Sequence, residues 1–554
     1  MSWIPLPVGI ENYAELIEKG YYYIDKTLLI KDLIDLKGKV NLFTRPRRFG
    51  KTLNLSMLRY FFEKSDVNPA PLFEGTKICD AGHPYTDQMG QYPVITLSLK
   101  SLKQTDFKSA FYCLREEIAR EFDRHASLVS SLDSRDKQEK YNRFVEQKAA
   151  SEEYLTSLRF LSDCLYASSQ TRCIILIDEY DVPLENAYFH GFYTEMLSLI
   201  RSVFESALKT NDTLEFAVVT GCLRISKESI FTGLNNLSMI SIMDQSYAEH
   251  FGFTQEEVDQ MLRDYQLEDR REDIRKWYDG YCFGNTEVYN PWSVINDVNS
   301  CYKDKHALFK PYWSNTSSNS IVRTLIEKAD LSVRQEIESL IAGGTIIKPV
   351  HEDITYADID TSQDYLWNFL FFTGYLKKRK QYQENGEIYM ELAIPNMEVR
   401  HIYKHTVLLW FEEKIKMKDL SELYRSILDG DRKKLSEFLS EMLMETISFY
   451  DYQEKYYHGF LAGLLKHFGD YIVVSNRESG SGRPDLILKY PSVRGKAVIF
   501  EIKTADSYQD LECRCDEALQ QIEERHYADS LRKEGYQTIL KYGVAFYKKE
   551  CMVK

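Results

Sequence analysis

Short, continuous apolar runs alternate with amphipathic stretches through the first half of the chain. Val40–Thr44, Tyr92–Leu99, Cys173–Ile177, Leu214–Thr220 and Met239–Met243 read as buried strands, because a strand covered on both faces shows no polar alternation. Between them, Lys51–Phe62, Phe107–Phe122 and Phe192–Leu208 read as helices with an apolar face. Strands alternating with helices predict a parallel α/β sheet. One stretch departs from this: 117–153 is dense in charge with few apolar positions in its middle, and reads as exposed helix or an insertion rather than core.

After about residue 245 the pattern changes to short helices and polar loops. Thr254, with Glu257 three residues on, forms a capping box that predicts a helix start. From about 310 to 400, helices alternate with the β-like pieces Thr345–Val350, Gly374–Lys378 and Tyr389–Ile394, as in a winged-helix-like module, and helices then dominate Val399–Phe468. The last segment reads helix Gln453–His467, strands Tyr471–Ser475, Asp485–Lys489 and Lys496–Ile502, helix Leu511–Arg525 and strand Thr538–Tyr547, an αβββαβ order. The reading is a multidomain α/β chain with an α/β core over 1–245, a helical segment over 246–310, the winged-helix-like module over 311–400, a helical connector over 401–450 and the αβββαβ domain over 451–554.

A length of 554 residues supports this division, since one core serves roughly 100–200 residues. Apolar residues at 44% and charged residues at 28% describe a folded chain, and the 39 tyrosines supply amphipathic surface. The formal charge of −14 argues against a general nucleic-acid coat, although basic residues can still line a single groove. The ten cysteines form no CxxC pair, and Cys513 and Cys515 fall on a predicted helix where neighbours two apart diverge, which argues against zinc. Met1–Ile10 carries no secretory start, and no apolar run approaches the ~18 residues of a membrane span. A cytoplasmic protein with no membrane partner is expected.

Two constellations carry chemistry. The first is Arg45-Pro46-Arg47-Arg48-Phe49-Gly50-Lys51-Thr52, set between a strand and a helix. A phosphate loop needs N–H groups facing the anion, a helix N-terminus behind them, a lysine for the terminal phosphates and a hydroxyl for Mg²⁺. Gly50, Lys51 and Thr52 supply the loop glycine, the lysine and the hydroxyl, while Arg45 stands where the general pattern has its first glycine. Ile174–Ile177 then runs into Asp178 and Glu179, a pair suited to holding Mg²⁺ and to activating water respectively. The strand Phe216–Val219 ends at Thr220, a candidate γ-phosphate sensor; Arg224 has two open readings, phosphate contact or pairing with an acid.

The second constellation is Asp485 followed by Glu501-Ile502-Lys503. Cleaving a phosphodiester calls for hard oxygen ligands to a divalent metal and a positive group for the developing charge. Glu501 and Lys503, two apart on a strand, share one face. In this Asp…Glu-x-Lys arrangement Asp485 and Glu501 are the metal ligands, and Lys503 orients water or stabilises the transition state.

These motifs, with Leu176–Asp181, Thr220–Ile225, Trp277–Tyr281 and Tyr289–Ser293, resemble the bacterial AAA-ATPase-like family that carries a PD-(D/E)XK nuclease domain at its C-terminus. The resemblance runs from about Leu6 to about Tyr547. It implies a P-loop AAA-like ATPase core with a helical lid over 246–310, and a restriction-endonuclease-like C-terminal domain. The Arg-Pro-Arg-Arg-Phe-Gly-Lys loop is that family's own form, which accounts for Arg45. Arg47 and Arg48 either add charge beside the phosphates or pair with acids on a neighbouring domain. The resemblance further assigns Glu454 to the metal shell, His458 to helix packing or substrate contact, and Gln521, with Arg525, to the neighbourhood of the active site. The implied cofactors are ATP and Mg²⁺, with Mn²⁺ as an alternative at the nuclease site. The implied partner is nucleic acid, DNA ahead of RNA, and a homo-oligomer is allowed for. The implied function is an ATPase coupled to a metal-dependent nuclease, in defence or mobile-element processing. The alternative is a nucleotide-dependent switch whose nuclease fold only binds nucleic acid or a partner.

Overall fold

The computed structural model describes residues 3–223, 230–231, 234–315, 320–327, 330–352, 356, 362–417, 419–445, 454–466, 468–475 and 484–554. The chain forms two compact units, Met1–Ser318 with Ile346–His401, and Asn319–Thr345 with Ile402–Lys554.

The first unit is built on a five-stranded sheet of β1 (Val40–Thr44), β2 (Val94–Ser98), β3 (Cys173–Asp178), β4 (Leu214–Gly221) and β5 (Leu237–Ile240), all parallel, in the order β2-β3-β4-β1-β5. The uniformly apolar runs are explained by burial: every residue of β1 and β3 is buried. The run expected at Met239–Met243 pairs instead over Leu237–Ile240, because Ser241 turns the chain by donating its N–H to Asp244 Oδ2 (2.7 Å). The charged stretch 117–153 is helical, but the expectation that it lies outside the core is corrected. Phe122, Tyr141 and Phe144 are buried, and Phe144 packs against Phe122 at a ring separation of 4.6 Å. Its polar residues had concealed a small aromatic core.

The helix Gln255–Tyr265 begins at Thr254 with the expected capping box. It packs with the helices Arg271–Tyr278 and Pro291–Ser300 around Val258, Met261, Ile274 and Val294. A hairpin absent from the sequence reading, β6 (Tyr281–Phe283) and β7 (Thr286–Val288), lies between those two helices. Farther along, β8 (Ile346–Pro349), β9 (Lys377–Glu384) and β10 (Glu387–Ala393) form an antiparallel sheet in the order β8-β10-β9. The strand expected at Gly374–Lys378 lies instead at Lys377–Glu384, after a turn at 373–376, because an edge strand exposed to water needs no apolar alternation. Asn385 (φ 52°) and Gly386 (φ 87°) make the left-handed two-residue turn that closes β9 onto β10.

The second unit carries a mixed sheet of β11 (Ile472–Ser475), β12 (Leu486–Lys489), β13 (Lys496–Thr504), β14 (Thr538–Tyr547) and β15 (Glu550–Val553), in that order, with only β13 and β14 parallel. One face packs on the helices Ser421–Asp429, Arg432–Glu445 and Glu454–Leu465 through Leu423, Leu439, Leu461, Phe500 and Phe546. The other is covered by Leu511–Glu524 and Tyr527–Glu534. That last helix and β15 extend the predicted αβββαβ order. The outer edge of β15 is sealed by serines: Cys551 N–H donates to Ser440 Oγ and Val553 N–H to Ser436 Oγ, both at 2.9 Å. The stretch 311–400 is divided, with β8–β10 in the first unit and 319–345 in the second.

Candidate active sites

In the first unit β1 ends in the basic loop, and the helix Lys51–Phe62 starts behind it with Gly50 as N-cap at φ 81°. A Cβ at Gly50 would meet nothing within 4 Å, so the loop backbone faces open space. Lys51 is buried and donates to the Arg45 and Pro46 carbonyl oxygens at 3.0 and 3.1 Å. Burial opposes its charge, but Cys222, Glu179, Asp181 and Asp178 around it hold its pKa above the ordinary value. Thr52 and Thr220 hydroxyls donate to the two oxygens of Asp178, at 2.7 and 2.5 Å. Burial, with Glu179 beside it, still pushes the Asp178 pKa up against those donors. Glu179 follows in the left-handed region at φ 54°, a conformation that a non-glycine residue adopts at a cost.

Arg47 is ion-paired to Glu185 on the helix Val182–His190, and the Arg48 guanidinium lies 4.5 Å from the centre of the Trp292 ring. A cavity runs from the loop residues Arg47–Asn54 to an apolar end that includes Ile10, Ile24, Phe253 and Trp292. Hydroxyl and carboxylate oxygens at Thr52 and Asp178, with Glu179 beside them, are the donor types that Mg²⁺ takes.

In the second unit, the antiparallel register that sets Leu486 opposite Phe500 brings Asp485 to Glu501. Asp485 Oδ2 accepts the Ile502 N–H at 2.8 Å. Glu501 is 2% exposed, and its Oε1 accepts from Gln521 Nε2 and lies 3.7 Å from Lys503 Nζ. Its Oε2 is buried with no hydrogen-bond partner among the described residues. Burial, reinforced by Asp485 and Glu454 and opposed by Lys503, raises the Glu501 pKa to about 7. Burial raises that of Asp485 as well. An unpartnered buried carboxylate oxygen beside a second carboxylate is an unmet acceptor pair, and its chemistry suits a divalent cation. His458 Nε2 lies 3.0 Å from both the Asp485 carbonyl oxygen and Ser475 Oγ.

Comparison with known proteins agrees with both geometries. Residues 7–231 match the model of a family described as predicted AAA-ATPase, and residues 452–554 match that of the PD-(D/E)XK nuclease superfamily. The chain carries an AAA-ATPase-like domain and a C-terminal PD-(D/E)XK nuclease superfamily domain. It is also similar to the "Uncharacterized protein in vnfD 5'region" of Azotobacter chroococcum mcd 1, with 27% identity over 551 residues, 97% of this chain and 95% of that one.

In the AAA-ATPase-like domain the predicted residues Gly50, Lys51, Thr52, Asp178, Glu179 and Thr220 gather at the C-terminal ends of β1, β3 and β4. Arg47 pairs with Glu185 on the helix just after β3, within the same unit. Arg224 lies outside the described residues. In the nuclease domain Asp485, Glu501, Lys503 and Gln521 converge, while Glu454 is exposed at the start of its helix. Arg525 is exposed just past the end of the helix that carries Gln521.

Three contributors were missed in the sequence. Asp181 accepts the N–H groups of Cys222 and Leu223 at 2.8 and 2.9 Å, tying the end of β3 to the end of β4. Trp292 supports Arg48, and only its place in the Tyr289–Ser293 motif pointed to it. Gly543 pairs with Glu501 across β13 and β14, and a Cβ there would stand 2.3 Å from the Cys515 carbonyl oxygen. Glycine thus lets the Gln521 helix approach the sheet at the level of Glu501.

Proposed function

We propose that this protein binds and hydrolyses ATP and cuts phosphodiester bonds in nucleic acid, DNA ahead of RNA, with nucleotide state controlling the cutting. The observation that carries the nuclease half is the unpartnered Oε2 of buried Glu501. Glu501 and Asp485 would hold a divalent cation, Mg²⁺ or Mn²⁺, with Glu454 as a further candidate ligand. Thr52 and Asp178 would hold Mg²⁺ with the nucleotide. Held there, such cations would supply neutralisation of phosphate charge and, in the nuclease domain, ionisation of a water.

The chain's own groups do the rest. Lys503 settles charge on the phosphoryl oxygens as the new P–O bond forms and the old one breaks, and Gln521 keeps Glu501 in place. In the ATPase-like domain Lys51 exchanges its loop carbonyls for the terminal phosphates, Glu179 accepts a proton from the attacking water, and Thr220 holds Asp178. Arg47 and Arg48 line the same cavity and add positive charge beside the phosphates. A cytoplasmic role in defence or mobile-element processing accords with this reading by analogy.

The test is incubation of purified protein with plasmid DNA and Mg²⁺ or Mn²⁺, with and without ATP. Nicking is expected from the wild type and not from Glu501→Ala. A wild type that cuts neither DNA nor RNA with either metal ends the nuclease reading.

A further inference from the structure

The β8-β10-β9 sheet offers a surface that neither site uses. In an acidic chain of net charge −14, its edge strand begins Lys377-Lys378-Arg379-Lys380. The register with β10 steps from Glu391↔Lys380 to Leu392↔Lys378. Arg379 is therefore the extra residue of a β-bulge, a feature that turns side chains out of the regular alternation. Met390 and Leu392 are buried on the inner face. The outer face shows the opposite choice. Tyr382 and Tyr389 form a direct cross-strand pair, stacked with ring centres 5.9 Å apart and 13° between planes. Tyr382 is 41% exposed, and Ile347, which pairs with Glu391, is 58% exposed.

Lysines alone would blunt an edge strand against aggregation. That purpose does not call for aromatic and aliphatic side chains in water on the adjoining face. Cations along a strand beside a stacked ring pair, Tyr382 exposed and Tyr389 half-buried, are the two components of single-strand nucleic-acid binding: charge that follows phosphates and a flat platform for unpaired bases.

We infer that the outer face of the β8-β10-β9 sheet and its bulged edge bind unpaired nucleic acid, with Lys380 on the face and Arg379 at the edge meeting the phosphates and Tyr382 and Tyr389 under the bases. The inference rests on the reading of the chain as acting on nucleic acid and narrows its substrate to strands with single-stranded character. The nearby acids Glu384, Glu387 and Glu391 bear on it. Glu387 accepts the Tyr389 hydroxyl, and Glu391 lies 3.7 Å from Lys380. A phosphate therefore competes with Glu391 for Lys380, and affinity should fall steeply with salt.

The experiment measures binding of the full chain to fluorescent oligothymidylate, oligouridylate and a duplex of equal length, in EDTA so that nothing is cut, across salt concentrations. The wild type should prefer single strands to duplex by about tenfold. Arg379→Glu/Lys380→Glu should weaken single-strand binding tenfold or more, and Arg379→Gln/Lys380→Gln should flatten the salt dependence by about 1.4 log units per log unit, from roughly 0.7 per phosphate contact. Tyr382→Ala should weaken binding about tenfold with the salt slope unchanged. ATP turnover and unfolding temperature, compared in parallel, should not change. Equal affinity for duplex, or wild-type binding by the glutamine and tyrosine variants, overturns the inference. The two readings fail separately: a protein that binds in this pattern but never cuts loses only the nuclease assignment, whereas one that cuts while these variants bind normally loses only this surface.

Discussion

Asp178 and Glu501 are both buried carboxylates near the C-terminal end of a strand with a parallel neighbour, 5% and 2% exposed. Their partners differ. Each oxygen of Asp178 accepts a hydroxyl, from Thr52 and Thr220. Only one oxygen of Glu501 is met, by Gln521, and the other has no donor among the described residues. A buried acceptor without a partner costs about 1–3 kcal/mol, and more when charged. Asp178 is thus satisfied from within the chain, with the one unmet buried oxygen of the ATPase-like acids on the neighbouring Asp181, whereas the metal-ligand candidate Glu501 itself keeps an unmet oxygen among the described residues that a cation would satisfy. The same sequence cue, an apolar strand running into acids, leads to a preorganised cradle in one domain and an unmet acceptor pair in the other.

The largest effects should separate the two sites by activity. Glu501→Ala or Lys503→Ala is expected to lower plasmid nicking by at least about 100-fold while ATP turnover stays at the wild-type level. Lys51→Ala should lower ATP turnover by about 100-fold and remove only the ATP-dependent part of cutting. Loss of ATP turnover in Glu501→Ala or Lys503→Ala would mean that these residues serve more than the nuclease site.

Next comes pH. Glu501 is shifted from the usual 4.5 to about 7, so the folded state keeps a proton that the unfolded chain releases. Its contribution is intact below pH 4.5 and is lost as pH rises through 7. The loss amounts to about 3 kcal/mol at 1.36 kcal/mol per pH unit. Urea unfolding of the metal-free protein between pH 4.5 and 8 should show that decline, Glu501→Gln should flatten it, and Mn²⁺ should stabilise the wild type more at pH 8 than at pH 5. An identical pH response in wild type and Glu501→Gln would refute the contrast.

Smaller effects probe packing. Gly543→Ala should cost about 1–3 kcal/mol by pushing the helix Leu511–Glu524 off β14, and should weaken metal binding through loss of the Gln521 contact. Thr220→Val should cost about 1–2 kcal/mol in urea unfolding by leaving one Asp178 oxygen without a donor, and the cost should shrink as Asp178 is protonated at low pH. A nuclease-domain response to Thr220→Val of the same size as that to Gly543→Ala would blur the distinction between the sites.

Much of this was legible before folding. Helix Lys51–Phe62 was read with its observed bounds, and β1, β3 and β14 lay within one residue of the reading, because buried strands and helix starts leave local signatures in apolar runs and capping residues. The misreadings share one cause. The aromatic core of Tyr141 and Phe144 lay beneath charge, β9 continued through polar residues on a solvated edge, and β5 ended early at the Ser241–Asp244 turn. In each case contacts outside the segment, or a single turn, outweighed its composition.

The order of residues along the chain was enough to establish the strand, loop and helix of the phosphate loop, the acids at the ends of β3 and near β12, and the Glu-x-Lys alternation on β13. These depend on neighbours only a few residues away. Which carboxylate oxygen is satisfied, how glycine at 543 brings Gln521 to Glu501, and where Arg47 finds Glu185 depended on the tertiary structure. Hydrogen bonds and close approaches join residues far apart in sequence, and no local period encodes which buried donor meets which acceptor.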